Sequence, residues 1–98
     1  MLNEVLSQSP NDAFARYGLA MELSKAGEVD RALEEFGKLL SAHADYTAGY
    51  FMAAQTLAGA NRTDEAKKIL VEGIASARRT GNSHAQSEMT AMLEDLKS

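Results

Sequence analysis

The chain has 98 residues, of which 45% are apolar and 24% charged, with a net charge of −4 and no cysteine. That length makes one ordinary domain that can bury a core without staples, and the apolar fraction argues against disorder. The acidic balance repels phosphate backbones and weighs against nucleic acid, no stretch approaches the ~18 apolar residues of a membrane span, and the start, Met1 to Val5, lacks the basic region of a signal peptide.

The lack of cysteine points to a reducing, cytoplasmic compartment. Charge is uneven. Residues 1–49 hold four basic against eight acidic residues, and residues 50–98 hold six of each.

Residues 2–9 read as the last turns of a helix, which Pro10 stops, because proline cannot continue a helix and disfavours helical geometry before it. A first full helix is expected from about Asp12 to Lys25, with Asn11 as N-cap and Leu19, Ala20 and Leu23 facing inward. Gly27 ends it by allowing a left-handed turn. A second helix is expected from Val29 to Ala42. There Ala32, Leu33, Phe36, Leu39 and Leu40 recur at three- and four-residue steps, and Asp30 suits the dipole of the first turn.

The pattern then repeats. A helix is expected from Tyr46 or Thr47 to Ala60, followed by Asn61, the next-best residue for positive φ. Another runs from Asp64 to Arg79 and stops at Gly81 and Asn82. A last helix, Ser83 to Leu96, carries Ala85, Met89, Met92, Leu93 and Leu96 on one side. Its other side holds Gln86, Glu88, Glu94, Asp95 and Lys97. One greasy and one polar face suit the end of a solenoid.

Shifting the sequence by 34 residues aligns these elements with themselves. Ala20 falls on Ala54, Leu23 on Leu57, Ala26 on Ala60, Asp30 on Asp64 and Ala32 on Ala66. Tyr17 meets Phe51, Phe36 meets Leu70 and Leu40 meets Ile74. Leu2 and Leu6 likewise precede Phe36 and Leu40 by one period. The coincidences gather at small and apolar positions, which shared composition would scatter.

With these residues in view, the chain resembles the tetratricopeptide repeat family. That family has two antiparallel helices per repeat and a small residue in each where they cross. The matching pairs are Ala20 with Ala32 and Ala54 with Ala66, and small side chains let helix axes approach. The resemblance spans Leu2 to Leu96. It departs where Arg16 and Tyr50 hold the family's tryptophan position, and where Ala44 and Arg78 stand in place of proline. It implies an all-α, short right-handed solenoid of two helix-turn-helix repeats. On this reading residues 2–9 form a truncated N-terminal helix, 12–45 and 46–80 the repeats, and 83–96 a capping helix. Met1 favours a complete small protein.

The resemblance also implies a function. Helix-one residues line a concave groove that binds a peptide or helix of another protein. By position, the groove holds Phe14, Tyr17, Met21, Ser24 and Lys25, then Ala48, Phe51, Met52, Gln55 and Gly59. Tyr17, Phe51, Met21 and Met52 suit an apolar or helical segment, although Tyr17 and Phe51 could equally seal packing between helices. Capture of a partner's C-terminal carboxylate, known in the family, does not fit, because Tyr17, Met21 and Met52 offer no cation and Lys25 is the only groove base. Self-association through the solenoid ends, giving a homodimer and a structural role, is the alternative.

The residues point away from catalysis. His43 and His84 have no partner at metal-ligand spacing, so neither a metal nor another cofactor is implied. No phosphate-binding glycine motif occurs. Glu34–Glu35, Asp64–Glu65 and Glu94–Asp95 are sequence neighbours, which do not face each other on a helix. Arg62, Lys67, Lys68, Arg78 and Arg79 could form a patch for an acidic partner or RNA, but read better as a hydrated face, with Lys67 and Lys68 partly balanced by Asp64, Glu65 and Glu72.

Overall fold

The computed structural model describes Leu6 and residues 12–97. Those residues form five helices: α1 (Ala13–Lys25), α2 (Val29–Ala42), α3 (Thr47–Gly59), α4 (Thr63–Thr80) and α5 (Ser83–Lys97). The helix expected over residues 2–9 and its stop at Pro10 lie outside the described residues, apart from Leu6, which is buried. The N-cap of α1 is Asp12, not Asn11. Its extended backbone lets the carboxylate accept the Ala15 N–H at 2.8 Å, satisfying a donor the first turn leaves free.

Three helices end in the same way. Gly27, Asn61 and Gly81 take φ of 80°, 62° and 70°. The next residue's N–H then returns to a carbonyl in the last turn: Glu28 to Leu23, Arg62 to Leu57 and Asn82 to Ala77, each at 2.9 Å. This left-handed closure reverses the chain within two or three residues and makes each helix antiparallel to the next. It was legible in the sequence even at Asn61, where no glycine stands.

Each helix packs on its successor, and α1 and α5 each also touch α3. The molecule measures 42 × 30 × 17 Å, and its thin dimension fits two helix layers. One layer is α1, α3 and α5, and the other is α2 and α4. α2 keeps its apolar residues on one stripe, whereas α1 and α3, with neighbours on more than one side, carry them all round.

Two apolar clusters join end to end. The first holds Ala20, Leu23, Ala32, Phe36, Leu39 and Ala53, and the second Tyr50, Ala54, Leu70, Ala77, Met89 and Leu93. Ile69 packs against both. The four alanines expected at the crossings, Ala20, Ala32, Ala54 and Ala66, are all at 0% exposure. No larger side chain would fit there without moving a helix axis.

Polar rungs tie the helices together. Arg16 on α1 pairs with Glu35 on α2, both largely buried. Ser24 on α1 meets Thr56 on α3 at 2.8 Å, and Thr47 on α3 meets Ser76 on α4 at 2.9 Å. Tyr50 donates its hydroxyl to the Ala44 carbonyl at 2.8 Å. Arg79 reaches Asp45 at 2.9 Å and Arg62 reaches Asp30 at 3.0 Å. The expected basic face is thus partly spent on ion pairs between units.

Candidate protein-binding face

The layer of α1, α3 and α5 presents one continuous surface. α3 supplies its middle and contains no charged residue along its whole length. α1 contributes Phe14, which is 76% exposed although large and apolar. Leaving an aromatic ring in water is unfavourable, so this exposure marks the face rather than the core.

The groove residues expected from the sequence fall into two groups. Phe14, Lys25, Ala48, Gln55 and Gly59 are exposed. Tyr17, Met21, Phe51 and Met52 are half-buried, with one side turned into the core. Tyr17 sets its ring edge-on to Phe36, with centroids 6.5 Å apart, and tilted on Tyr46 at 5.4 Å. Met21 and Met52 pack on the same cluster, while Phe51 leans on the cluster under α5. These four side chains both close the core and edge the surface. Ser24 is held by its bond to Thr56.

Burial pushes the Tyr17 phenol above its ordinary pKa, and neighbouring Tyr46 adds to the rise. Burial likewise raises Tyr50, partly offset by the positive charge of Arg79. Both phenols are therefore neutral near pH 7, and they act as packing and hydrogen-bonding groups.

The sequence gives no warning of two recesses. One, of about 230 Å³, lies between α3 and α5 and is lined by Ala48, Phe51 and Ala85 with Thr47, Asn82, His84 and Glu88. His84 stands 3.2 Å from Glu88, as their four-residue spacing on a helix allows. The larger recess, about 400 Å³, opens on the opposite layer between α2 and α4, over Leu33, Phe36, Leu40 and Ile69. Its rim residue Arg62 is already paired with Asp30 and Glu65. The smaller recess belongs with exposed Phe14 and the uncharged α3, so that face is the better candidate.

Among the described residues, no group of three His, Cys, Asp or Glu side chains could hold a metal ion. Nor, among them, is any helix long and apolar enough to cross a membrane.

Comparison with known proteins agrees with the geometry. Residues 23–87 match the tetratricopeptide repeat family. The TPR repeat-containing protein PA0015 of Pseudomonas aeruginosa is 27% identical over 95 residues, covering 97% of this chain and 90% of that one. A tetratricopeptide repeat domain protein from Salinibacter ruber, solved by solution NMR, is 32% identical with a TM-score of 0.83, covering 89% of this chain and 88% of that one. YrrB, described as a TPR protein with an unusual peptide-binding site, shares the fold at 15% identity and a TM-score of 0.70, covering 98% of this chain and 57% of its own. With its paired alanines, its period and its helix order all in register, this chain belongs to the tetratricopeptide repeat family.

Proposed function

We propose that the chain is a docking module that binds an apolar or helical segment of a partner protein across α1 and α3. The family is generally one of protein–protein interaction modules and typically non-catalytic. The observation that carries the reading to this face is the exposed Phe14 ring of α1, together with the absence of charge on α3 in the same layer. Half-exposed Met21 and Met52 extend that strip, and methionine adapts its shape to a partner. YrrB, with the same fold, is described as binding peptide.

The test uses side chains that do not hold the core. Tyr17 and Phe51 are poor choices, because truncating them would loosen both clusters. Phe14→Ser combined with Gln55→Lys alters the exposed surface and should leave the circular dichroism spectrum and melting temperature unchanged. Capture of a partner from lysate should fall roughly tenfold or more with this variant, the size expected for an aromatic anchor. Undiminished capture would mean the face is wrong. Sedimentation of the wild type as a concentration-dependent dimer would move the weight to self-association.

A further inference from the structure

The helices of this face differ in charge: α1 carries Arg16, Glu22 and Lys25, α3 carries none, and α5 carries Glu88, Glu94 and Asp95 against Lys97, which pairs with Glu94. His84, Glu88, Ala91 and Asp95 are spaced by four, three and four residues, so they share one side of α5. The recess of about 230 Å³ between α3 and α5 is lined by Ala48, Phe51 and Ala85 together with the polar Thr47, Asn82, His84 and Glu88. The contact of Glu88 with exposed His84 is ionic only when the imidazole is protonated.

Apolar lining residues beside a carboxylate complement a lysine or arginine side chain, which has an apolar stem and a cationic head. The N-terminal ends of α3 and α5 act against a positive charge placed at the first turn. Asn82 also already accepts the Ala85 N–H there, at 3.1 Å. The head group therefore belongs at Glu88, more than a turn into α5, on the side leading to Asp95.

We propose that the recess between α3 and α5 takes a lysine or arginine of the docked segment. The partner is then apolar where it crosses α1 and α3, and basic where it crosses α5. This rests on the docking face described above. Packed helices lie about 8–10 Å apart. The base therefore lies about three residues of extended chain or about two turns of helix from the apolar residue over α3, on either side of it in sequence.

Phage-displayed random dodecapeptides, selected in parallel on the wild type and on Glu88→Lys, test this. Wild-type binders should carry Lys or Arg beside an apolar cluster, and Glu88→Lys should select Asp or Glu there instead. In a synthetic binder, replacing that base by norleucine should weaken binding to the wild type roughly two- to fivefold, as for an exposed ion pair. The same replacement should change nothing with Glu88→Gln. Apolar binders with no basic preference, or one that Glu88→Lys leaves intact, overturn the assignment of the recess. The docking face survives that result if the binders are lost with Phe14→Ser, Gln55→Lys. Binders indifferent to that double variant, or no binders at all, overturn the face and the recess together.

Discussion

At positions 34 residues apart, the two units solve the same packing problem with different atoms. In the first, Arg16 crosses from α1 to α2 and pairs with Glu35. In the second, Tyr50 and Ile69 stand at those places, and Tyr50 turns its hydroxyl to the Ala44 carbonyl. Size is exchanged as well. Leu39 is fully buried, and a Cβ added to Gly49 on the next helix would sit 3.0 Å from its methyl group. At the matching position of the second unit stands Gly73, and there Tyr50 and Met89 fill the space. Bulk thus moves from the α2 side of one junction to the α3 and α5 side of the other. A repeat tolerates a degenerate sequence because neighbours compensate, so a residue's role is set by what faces it.

The largest effect should come from undoing that exchange. A Cβ on Gly73 would lie 2.6 Å from both Tyr50 Cβ and Met89 Sδ. Tyr50 Cβ is fixed to the backbone, so Gly73→Ala should cost about 2–3 kcal/mol in urea melts. Gly49→Ala meets only leucine methyl ends, which can turn away. It should be near neutral, because alanine favours a helix over glycine by about 0.5–1 kcal/mol. Equal costs at the two glycines would remove the asymmetry.

A feature the units share should respond alike in both. Ala32→Leu and Ala66→Leu, at equivalent and fully buried crossings, should each cost about 1–3 kcal/mol. A neutral result at either would misplace that crossing.

The polar difference is smaller. Arg16→Met strips Glu35 of its guanidinium and should cost about 1–2 kcal/mol. Arg16→Tyr with Glu35→Ile copies the second unit and should be close to neutral, as replacing a buried ion pair by apolar groups often is. A double variant as weak as the single one would show that the two frames are not interchangeable.

Tyr50→Phe should cost about 1 kcal/mol for one hydrogen bond. It also carries a pH signature. Burial raises the Tyr50 and Tyr17 phenols above their ordinary pKa. The unfolded chain therefore ionises first, so their contribution is complete below about pH 10 and falls as pH climbs toward the folded values. Tyr50→Phe should make that alkaline decline shallower in melts followed from pH 8 to 11.

Much of the frame could be read from the chain. The helix ends fell within a residue of their expected places, because Gly27, Asn61 and Gly81 mark stops that do not depend on distant partners. The alanine crossings were legible through the family resemblance, since the period alone aligns Ala20 with Ala54 and Ala32 with Ala66 without pairing them across helices. Asn11 was preferred to Asp12 as N-cap because both residue types cap helices, and only the fold decides which one reaches the third N–H. The rungs Arg16–Glu35, Ser24–Thr56 and Thr47–Ser76 were invisible, since they join residues 19 to 32 apart with no period of their own. Nothing in the sequence singles out Gly73; only Tyr50 and Met89 beside it exclude a Cβ there. Of the candidate face, α3's lack of charge was plain in the sequence. The burial of Tyr17 and Phe51 on one side was not, because helical period cannot separate a residue that seals from one that docks.

The short linker at residues 43–46 is fastened from both helices of the following unit. Tyr50 on α3 and Arg79 on α4 both donate to the Ala44 carbonyl, and Arg79 also holds Asp45. In a linear array, cooperativity is the ratio of coupling between units to the stability of each alone. A linker clasped this way raises the coupling without adding to either unit. The clasp therefore ties the opening of one unit to that of the other, and Arg79→Ala should widen the gap between the opening free energies of α1 and α4 amides in hydrogen exchange.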